Sequence, residues 1–466
     1  MQRKNGQSPV KNLLIRGFDS SYFTHRQIFS MLVPLILDAF FVNIIELLAT
    51  AMISSSSQES VSAVSLVSPI YMMSYAFFLA VASGGAVIVA QCLGSGDIAK
   101  MRRYGGQVIF AMFLLSIIGC GILVTFARPI VGALFGTADP GVADRAARYL
   151  FWVAISQVFL AIFHGPYAVF RGMGKTRLCL VLTMVINLIH LFASYVFINI
   201  LRWDIFGTAM SLMTARIIGA AVSVALLFFS KQAPGITLRD IFHINFHEQK
   251  TVMRVSLPFA VEQLFINGGS LVNSMFIVRL GTESVAANAV AASSIAIFYC
   301  MGNAVSSLSI TVVGQCVGAG DKKQAVRYGK SMTLLGEGAV IASLALFLPV
   351  LNFILRLYSA PETEFVLIRQ IQLYAFIAMP FFWALASVLP NVLRAAGDLN
   401  FTSYSSLITL WTVRIGLAYL LAIPAGLGIH GVWICIVIEW ALKAALYGWR
   451  FASGKWLSKS LLKENE

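Results

Sequence analysis

Twelve long apolar runs constrain most strongly what this chain can fold into. Each run is about 20 residues or longer, the length an α-helix needs to cross the hydrocarbon core of a bilayer. Such runs predict an all-α integral membrane protein in which each helix satisfies its own backbone hydrogen bonds. The predicted helices span 28–54, 62–91, 104–128, 144–170, 177–201, 205–230, 253–279, 284–317, 329–357, 365–393, 400–423 and 430–451.

The charged residues set the orientation of these helices. Only 12% of the chain is charged and 58% is hydrophobic, whereas ordinary soluble domains are about 25% charged. Most of the 34 Lys and Arg residues lie on the two tails and on every second loop. The positive-inside rule then predicts a multi-pass protein of the cytoplasmic (plasma) membrane with both termini cytoplasmic. The net charge of +14 is therefore interpreted as a topology signal that attracts anionic lipid, and not as a nucleic-acid site.

An internal repeat divides the chain into two halves. The stretch QCLGSGDIAKMRRYG at 91–105 returns as QCVGAGDKKQAVRYG at 315–329, with eight of fifteen positions identical and an offset of 315 − 91 = 224. The same offset places VPLILDAFFVN (33–43) on LPFAVEQLFIN (257–267). Six helices return the chain to the side where it began, so the halves share one orientation. We expect two homologous six-helix bundles related by a pseudo-two-fold axis along the membrane normal.

This division predicts the domain boundaries. The expected parts are a cytoplasmic amino tail (1–27), an amino-terminal lobe (28–231), an inter-lobe linker (232–252), a carboxyl-terminal lobe (253–451) and a carboxyl tail (452–466). The repeated glycines and the aspartates Asp97 and Asp321 favour helix ends and helix caps at the cytoplasmic turns. A gating or lipid-sensing role for these turns is the alternative.

Two other kinds of site are excluded by spacing. GMGKT at 172–176 lacks the first glycine of a phosphate-binding loop, because Val169 stands there, and it follows a predicted membrane helix instead of a strand. Neither ATP nor another cofactor is expected, so transport must be driven by an ion gradient. The six cysteines have no paired spacing, which indicates neither disulfides nor a zinc site.

These features together resemble the multidrug and toxic compound extrusion (MATE) family. The resemblance rests on twelve helices in two parallel halves, on Q-x-x-G-x-G-D after helices two and eight, and on the R-G-x-G-K-T-R turn after helix four with its R-A-A-G-D counterpart after helix ten. It implies a secondary antiporter, not an enzyme, in which inward flow of Na⁺ or H⁺ expels drugs or other amphipathic organic cations by alternating access. We expect a monomer. A lipid or lipid-linked oligosaccharide flippase of the same superfamily is the alternative.

One departure from the family pattern concerns the coupling ion. Many members carry an acid about fifteen residues after the proline of the first helix, where this chain has Ala49 followed by Thr50. Glu46, about one turn earlier, is the candidate replacement. In helix seven, P-x-x-x-E-Q at 258–263 is similar to a common form of the family, and the resemblance makes Glu262 the leading coupling carboxylate. Na⁺ is possible at Glu262 or at Glu46.

Further polar residues near these acids are supporting candidates. Asp38 occupies the place in helix one that Glu262 occupies in helix seven, four residues after a proline. A carboxylate there could bind Na⁺ or carry a proton, or it could bond a neighbouring helix or face the headgroups. The supporting candidates are Asn43, Asn267, Gln263 and Arg414.

Ionisable residues deep in the membrane need partners or a purpose. Glu439 and Lys443 have the i,i+4 spacing of an ion pair on one helix. Arg414 is a candidate partner for Glu46. Arg216 and Glu337 could also form pairs, with partners that the sequence leaves open. His164 and His190 either carry protons or bridge helices.

Overall fold

The computed structural model describes residues 18–19, 22–54, 58–135, 140–232, 234–357, 365–459 and 461. Within these ranges the side chains of 46–47, 49–54, 58–61, 134–135, 140 and 357 are not described. Ser56 and Pro361, which the charge pattern predicts to face outward, lie outside the described residues.

Long helices occupy all twelve predicted positions, and we number them as spans. They are span 1 (His25–Ser54), span 2 (Gln58–Gly94), span 3 (Ile98–Thr125), span 4 (Pro140–Gly172), span 5 (Thr176–Ser194), span 6 (Asp204–Phe229), span 7 (Phe246–Arg279), span 8 (Thr282–Gly318), span 9 (Lys322–Phe347), span 10 (Phe365–Ala395), span 11 (Leu399–Thr409) and span 12 (Gly428–Ala452). Shorter helices at Ala127–Phe135, Leu238–Phe242, Leu351–Leu357 and Ala418–Ala422 connect or extend them. The predicted all-α membrane fold is confirmed.

Span 7 differs from the other eleven in composition. Within the described residues, eleven helices are long and apolar enough to cross a membrane, and Phe246–Arg279 is not among them. It also begins at Phe246, earlier than the expected 253, because its first turns read FHEQKTV and contain no apolar run. Farther along, Glu262, Gln263 and Asn267 interrupt its apolar surface. The P-x-x-x-E-Q sequence thus lies in the span that is not among these eleven helices.

Two spans contain π-helical segments that no pattern in the sequence predicted. Span 5 continues as a π-helix over Tyr195–Ile200, and span 11 continues as one over Leu410–Leu417. Wide helical turns of this kind often occur at functional sites. The second segment contains Arg414.

The repeated turns have the same local structure in both halves. Gly96 and Gly320 adopt positive φ values of 79° and 76°. The Asp97 carboxylate accepts a bond from Lys100 N–H at 2.8 Å, and Asp321 accepts one from Gln324 N–H at 3.0 Å. The predicted helix-ending and capping chemistry is confirmed.

The described residues form two compact units. One contains Met1–Ala39, Ala90–Gly96 and Phe265–Glu466, and the other contains Phe40–Val89 and Asp97–Leu264. In the first unit, a large core surrounds Phe298, Trp383 and Trp433. In the second, Val67, Leu150 and other buried residues pack together. The lobe boundaries 28–231 and 253–451 stay a prediction.

In the first unit the two copies of the repeated sequence meet. A Cβ atom on Gly94 would lie 2.0 Å from the Gln315 carbonyl oxygen, and one on Gly318 would lie 1.9 Å from that of Gln91. Only glycine permits such a close approach of two backbones. The Gln91 side chain also donates to Ala395 O at 2.7 Å. The repeated glycines therefore form a reciprocal contact, in addition to ending their helices.

Each of spans 3 and 9 is covered by a segment from elsewhere in the chain. In the second unit, the Gln107 amide on span 3 donates to the carbonyls of Asp240 and His243 at 3.1 and 3.0 Å. In the first unit, the Tyr328 hydroxyl on span 9 donates to the carbonyls of Phe18 and Phe23 at 2.9 and 3.1 Å. The predicted linker is thus an ordered part of its unit.

Asp19 belongs to the segment that covers span 9. The backbone N–H of His25 donates to Asp19 Oδ1 and holds the pKa of that carboxyl below its usual value. The same bond fixes the chain just before span 1 begins.

Candidate intramembrane site

Of the predicted acidic candidates whose side chains the structure describes, Glu262 is the buried one. Its residue is 5% exposed, while Asp38 is only half-buried. Both lie four residues after a proline inside a helix, Pro258 in span 7 and Pro34 in span 1. Proline removes a backbone hydrogen bond and frees the carbonyl four residues before it, about two helical turns from each acid. Of the two equivalent positions, the one in span 7 offers the more desolvated carboxylate.

The supporting polar residues lie near Glu262 along span 7. Gln263 and Asn267 are half-buried and, at i,i+4, share one face of the helix. In the first unit, Gly269 packs against Leu410 and Ile415 of the π-helix in span 11. The carboxyl-terminal half of span 7 therefore packs against a π-helical segment.

Helix one offers a less defined site. Asn43 is half-buried, but the side chains of Glu46 and Ala49 lie outside the described residues. The proposed replacement of the missing acid by Glu46, with Asn43 as a supporting residue, stays a prediction.

A charged triad occupies the carboxyl-terminal half. The Glu439 side chain is fully buried, accepts a bond from Arg414 Nε and lies 2.7 Å from Lys443 Nζ. The predicted Glu439–Lys443 pair is confirmed. Span 11 packs against span 12 and presents Arg414 to Glu439. The suggested partnership of Arg414 with Glu46 stays a prediction, because the Glu46 side chain lies outside the described residues. The Arg414 side chain therefore has a structural partner, and its supporting role at the ion site stays a prediction. 

Glu337 accepts a hydrogen bond from the backbone of span 10. Its Oε2 accepts a bond from Ala384 N–H at 2.9 Å, four residues after Pro380 in the same helix. Glu337 thus bonds a backbone group of the helix that the proline interrupts.

The amino-terminal half contains a buried cation, Arg216. Its residue is 3% exposed, its Nη1 donates to Ser156 Oγ, and its guanidinium carbon lies 5.2 Å from the centre of the Tyr71 ring. Tyr71 stacks on Tyr75, and Tyr75 contacts the His164 ring at 5.6 Å. We call Arg216, Ser156 and Tyr71 the Arg216 centre.

The two membrane histidines differ in surroundings. His164 is 7% exposed and packs against Phe163 and Tyr167, with ring centres 5.1 and 5.9 Å apart. His190 is half-buried. The environment of His164 is that of a packed aromatic residue, which favours the helix-bridging interpretation.

Neutral polar bonds also join helices of the first unit, and sequence reasoning missed them. Gln372 on span 10 donates to Ser294 Oγ on span 8 at 2.6 Å, and Trp433 on span 12 donates to Asn288 on span 8 at 3.2 Å. Single neutral side chains within apolar runs carry no signal that would identify their partners.

A pocket of about 630 Å³ lies in the second unit, between the ends of spans 4 and 6 that are remote from the repeated turns. Its walls include the aromatic residues Tyr149, Trp152 and Phe206. Arg145 pairs with Asp204 at 3.2 Å, and Arg148 pairs with Asp144 at 2.8 Å, along its rim. Among the described residues, no group of three His, Cys, Asp or Glu side chains could hold a metal ion.

The sequence matches a known family model twice. The model named MatE matches residues 34–196 and 258–420, and both ends differ by 224, the offset of the internal repeat. Among similar proteins, a "Probable multidrug resistance protein NorM" of Thermotoga maritima is 23% identical over 92% of this chain and 94% of that protein. An "Uncharacterized transporter YisQ" of Bacillus subtilis is 23% identical over 88% of this chain and 90% of that protein.

Solved structures share the fold. A multidrug resistance MATE transporter of the MOP superfamily, in an outward-facing conformation, has a TM-score of 0.82 with 18% identity, over 92% of this chain and 96% of that chain. A MOP superfamily transporter from Pyrococcus furiosus has a TM-score of 0.80 with 18% identity, over 93% and 96%. These matches confirm the two-lobed fold of twelve membrane helices. Since the two family matches together cover more than half of the chain, it belongs to the MATE family of multidrug efflux transporters, which are transporters and not enzymes.

Proposed function

We propose that this transporter exchanges Na⁺ or H⁺ for drugs or other amphipathic organic cations, with Glu262 as the coupling carboxylate. The observation that carries the proposal is the burial of Glu262, 5% exposed, in the span that is not among the eleven helices apolar enough to cross a membrane. An acid held in a low dielectric favours either protonation or a bound cation over a bare charge. Ion binding there would compete with the substrate through the same alternating-access equilibrium. The name of the Thermotoga maritima relative supports the choice of drugs as substrates.

We also propose a cellular location, a membrane topology and an oligomeric state. The protein lies in the plasma membrane with both termini cytoplasmic, contacts anionic lipid through its basic loops, uses no ATP and works as a monomer. The concentration of Lys and Arg in alternate loops supports this orientation.

Transport by purified protein in liposomes tests the coupling. With Na⁺ and pH gradients imposed separately, an organic cation such as ethidium should move against its gradient under at least one of them. Glu262→Gln removes the charge and nearly keeps the shape, so gradient-driven transport should fall by about tenfold or more. Glu283→Gln, an exposed acid at the start of span 8, is the matched control and should transport normally.

Two outcomes would contradict the proposal. Normal coupling in the Glu262→Gln protein would move the ion site to Glu46 or Asp38. Movement of a lipid-linked oligosaccharide, without movement of small cations, would replace the antiporter with a flippase.

A further inference from the structure

Arg216 is a buried cation with no carboxylate partner among the described residues. Within the part of the chain that the structure describes, its contacts are the Ser156 hydroxyl and the Tyr71 ring. Arginine stays protonated in proteins, so this charge cannot be relieved by loss of a proton. A hydroxyl and an aromatic face solvate a guanidinium without neutralising it. The centre is therefore left with a net positive charge.

Three half-buried cations among the described residues have carboxylate partners. Arg414 and Lys443 share Glu439, and Arg450 makes two bonds to Asp398 at 2.6 and 3.1 Å. Buried charges in proteins are normally paired like this. Arg216 is an exception, and it lies in the half where Ala49 replaces the expected acid.

Arg216 lies on the same helix faces as the pocket between spans 4 and 6, and a further polar group lies nearby. Tyr149 and Ala209 line the pocket between spans 4 and 6, and Ser156 and Arg216 follow them by seven residues each. Seven residues are about two turns, so the bonded pair lies on the same two helix faces about 10 Å deeper. Next to Ser156, the Gln157 amide is 2% exposed and has no hydrogen-bond partner among the described residues.

We propose that the Arg216 centre binds the carboxylate of an amphipathic organic acid that enters between spans 4 and 6. A guanidinium offers two parallel N–H donors that match a carboxylate, and Tyr149, Trp152 and Phe206 supply apolar walls for an aromatic body. The substrate range then extends beyond organic cations to aromatic carboxylates. Only the role of the bound acid as cargo rests on the proposed transport function.

Binding to purified protein in detergent tests this without any transport. The probes are 2-naphthoate and 2-naphthamide, which share a ring system and differ in charge, measured by equilibrium dialysis in chloride-free buffer. The native protein should bind the carboxylate at least about tenfold more tightly than the amide. Arg216→Met should abolish this preference, and Arg216→Lys should keep part of it. Arg177→Met, at an exposed cation at the start of span 5 and away from the pocket, should retain it.

A stability measurement separates ligand binding from a structural ion pair. If Arg216 serves to bind a ligand, the ligand-free Arg216→Met protein should have a melting temperature equal to or above that of the native protein, because an uncompensated buried charge has been removed. Equal losses of melting temperature in Arg216→Met and Glu46→Gln would identify Glu46 as its partner and overturn the proposal. Equal affinity of the native protein for the two probes would overturn it as well, and so would chloride binding without carboxylate preference. Failure of ion-coupled transport with intact carboxylate preference would contradict only the proposed function.

Discussion

Glu439 illustrates how a single residue can hold two charges inside a membrane. Its carboxylate is fully buried and contacts Arg414 on span 11 and Lys443 on its own helix. The i,i+4 spacing of Glu439 and Lys443 in the sequence predicts the contact between these two residues. The Arg414 contact depends on which faces of two helices meet, and residue spacing does not contain that information.

Removal of Glu439 should therefore be costly. Glu439→Gln leaves both cations without a counter-charge, and the free energy of unfolding should fall by about 3–5 kcal/mol, measured by chemical unfolding in detergent micelles. Lys443→Met leaves Glu439 with Arg414 and should cost less. If the Glu439→Gln protein were as stable as the native one, the two cations would not depend on Glu439 for their counter-charge, and this prediction would be wrong.

At the scale of helices, the reciprocal glycine contact is the most demanding feature. Gly94 and Gly318 each face a backbone carbonyl of the other copy of the repeat, and a backbone atom cannot move aside as a side-chain tip can. The contact fixes how closely the ends of spans 2 and 8 approach within the first unit.

Alanine at these glycines should destabilise the protein. Gly94→Ala and Gly318→Ala should each cost about 1–3 kcal/mol or more through overlap with a carbonyl, and the double variant should cost less than the sum because one separation relieves both overlaps. The measurement is thermal melting in detergent. Gly119→Ala is the control, since no neighbour lies within 4 Å of its Cβ position, and it should be neutral or slightly stabilising. Additive losses at 94 and 318 would indicate two independent sites.

The sequence predicts helix positions better than helix irregularities. Apolar length predicted all twelve spans, while span 7 began earlier than expected because FHEQKTV is polar and continues the helix outside the apolar region. The π-helix around Arg414 had no sequence signal, since π and α turns use the same residue types. Glu262 was chosen from its P-x-x-x-E-Q sequence and is buried, whereas the neutral bond of Gln372 to Ser294 could not be foreseen.

For the whole molecule, the alternating basic loops imply one orientation across the membrane. Lys175 and Lys322 begin or precede spans at the same side as the repeated turns. In a background where the six free cysteines are replaced, single cysteines at 175 and 322 should resist an impermeant thiol reagent added to intact cells. A cysteine at 361 should react. Labelling at 322 with protection at 361 would reverse the topology.

The contact between Gly94 and Gly318 is also self-complementary, because residue 91 faces 318 in the way that 315 faces 94. A surface that pairs with an equivalent copy of itself in this way is the signature of a two-fold dimer interface. The halves arose from one ancestral six-helix unit, so the same glycine and carbonyl could have joined two separate chains before their genes were fused. The contact can thus be understood as an inherited dimer interface, which fusion turned into an intramolecular one.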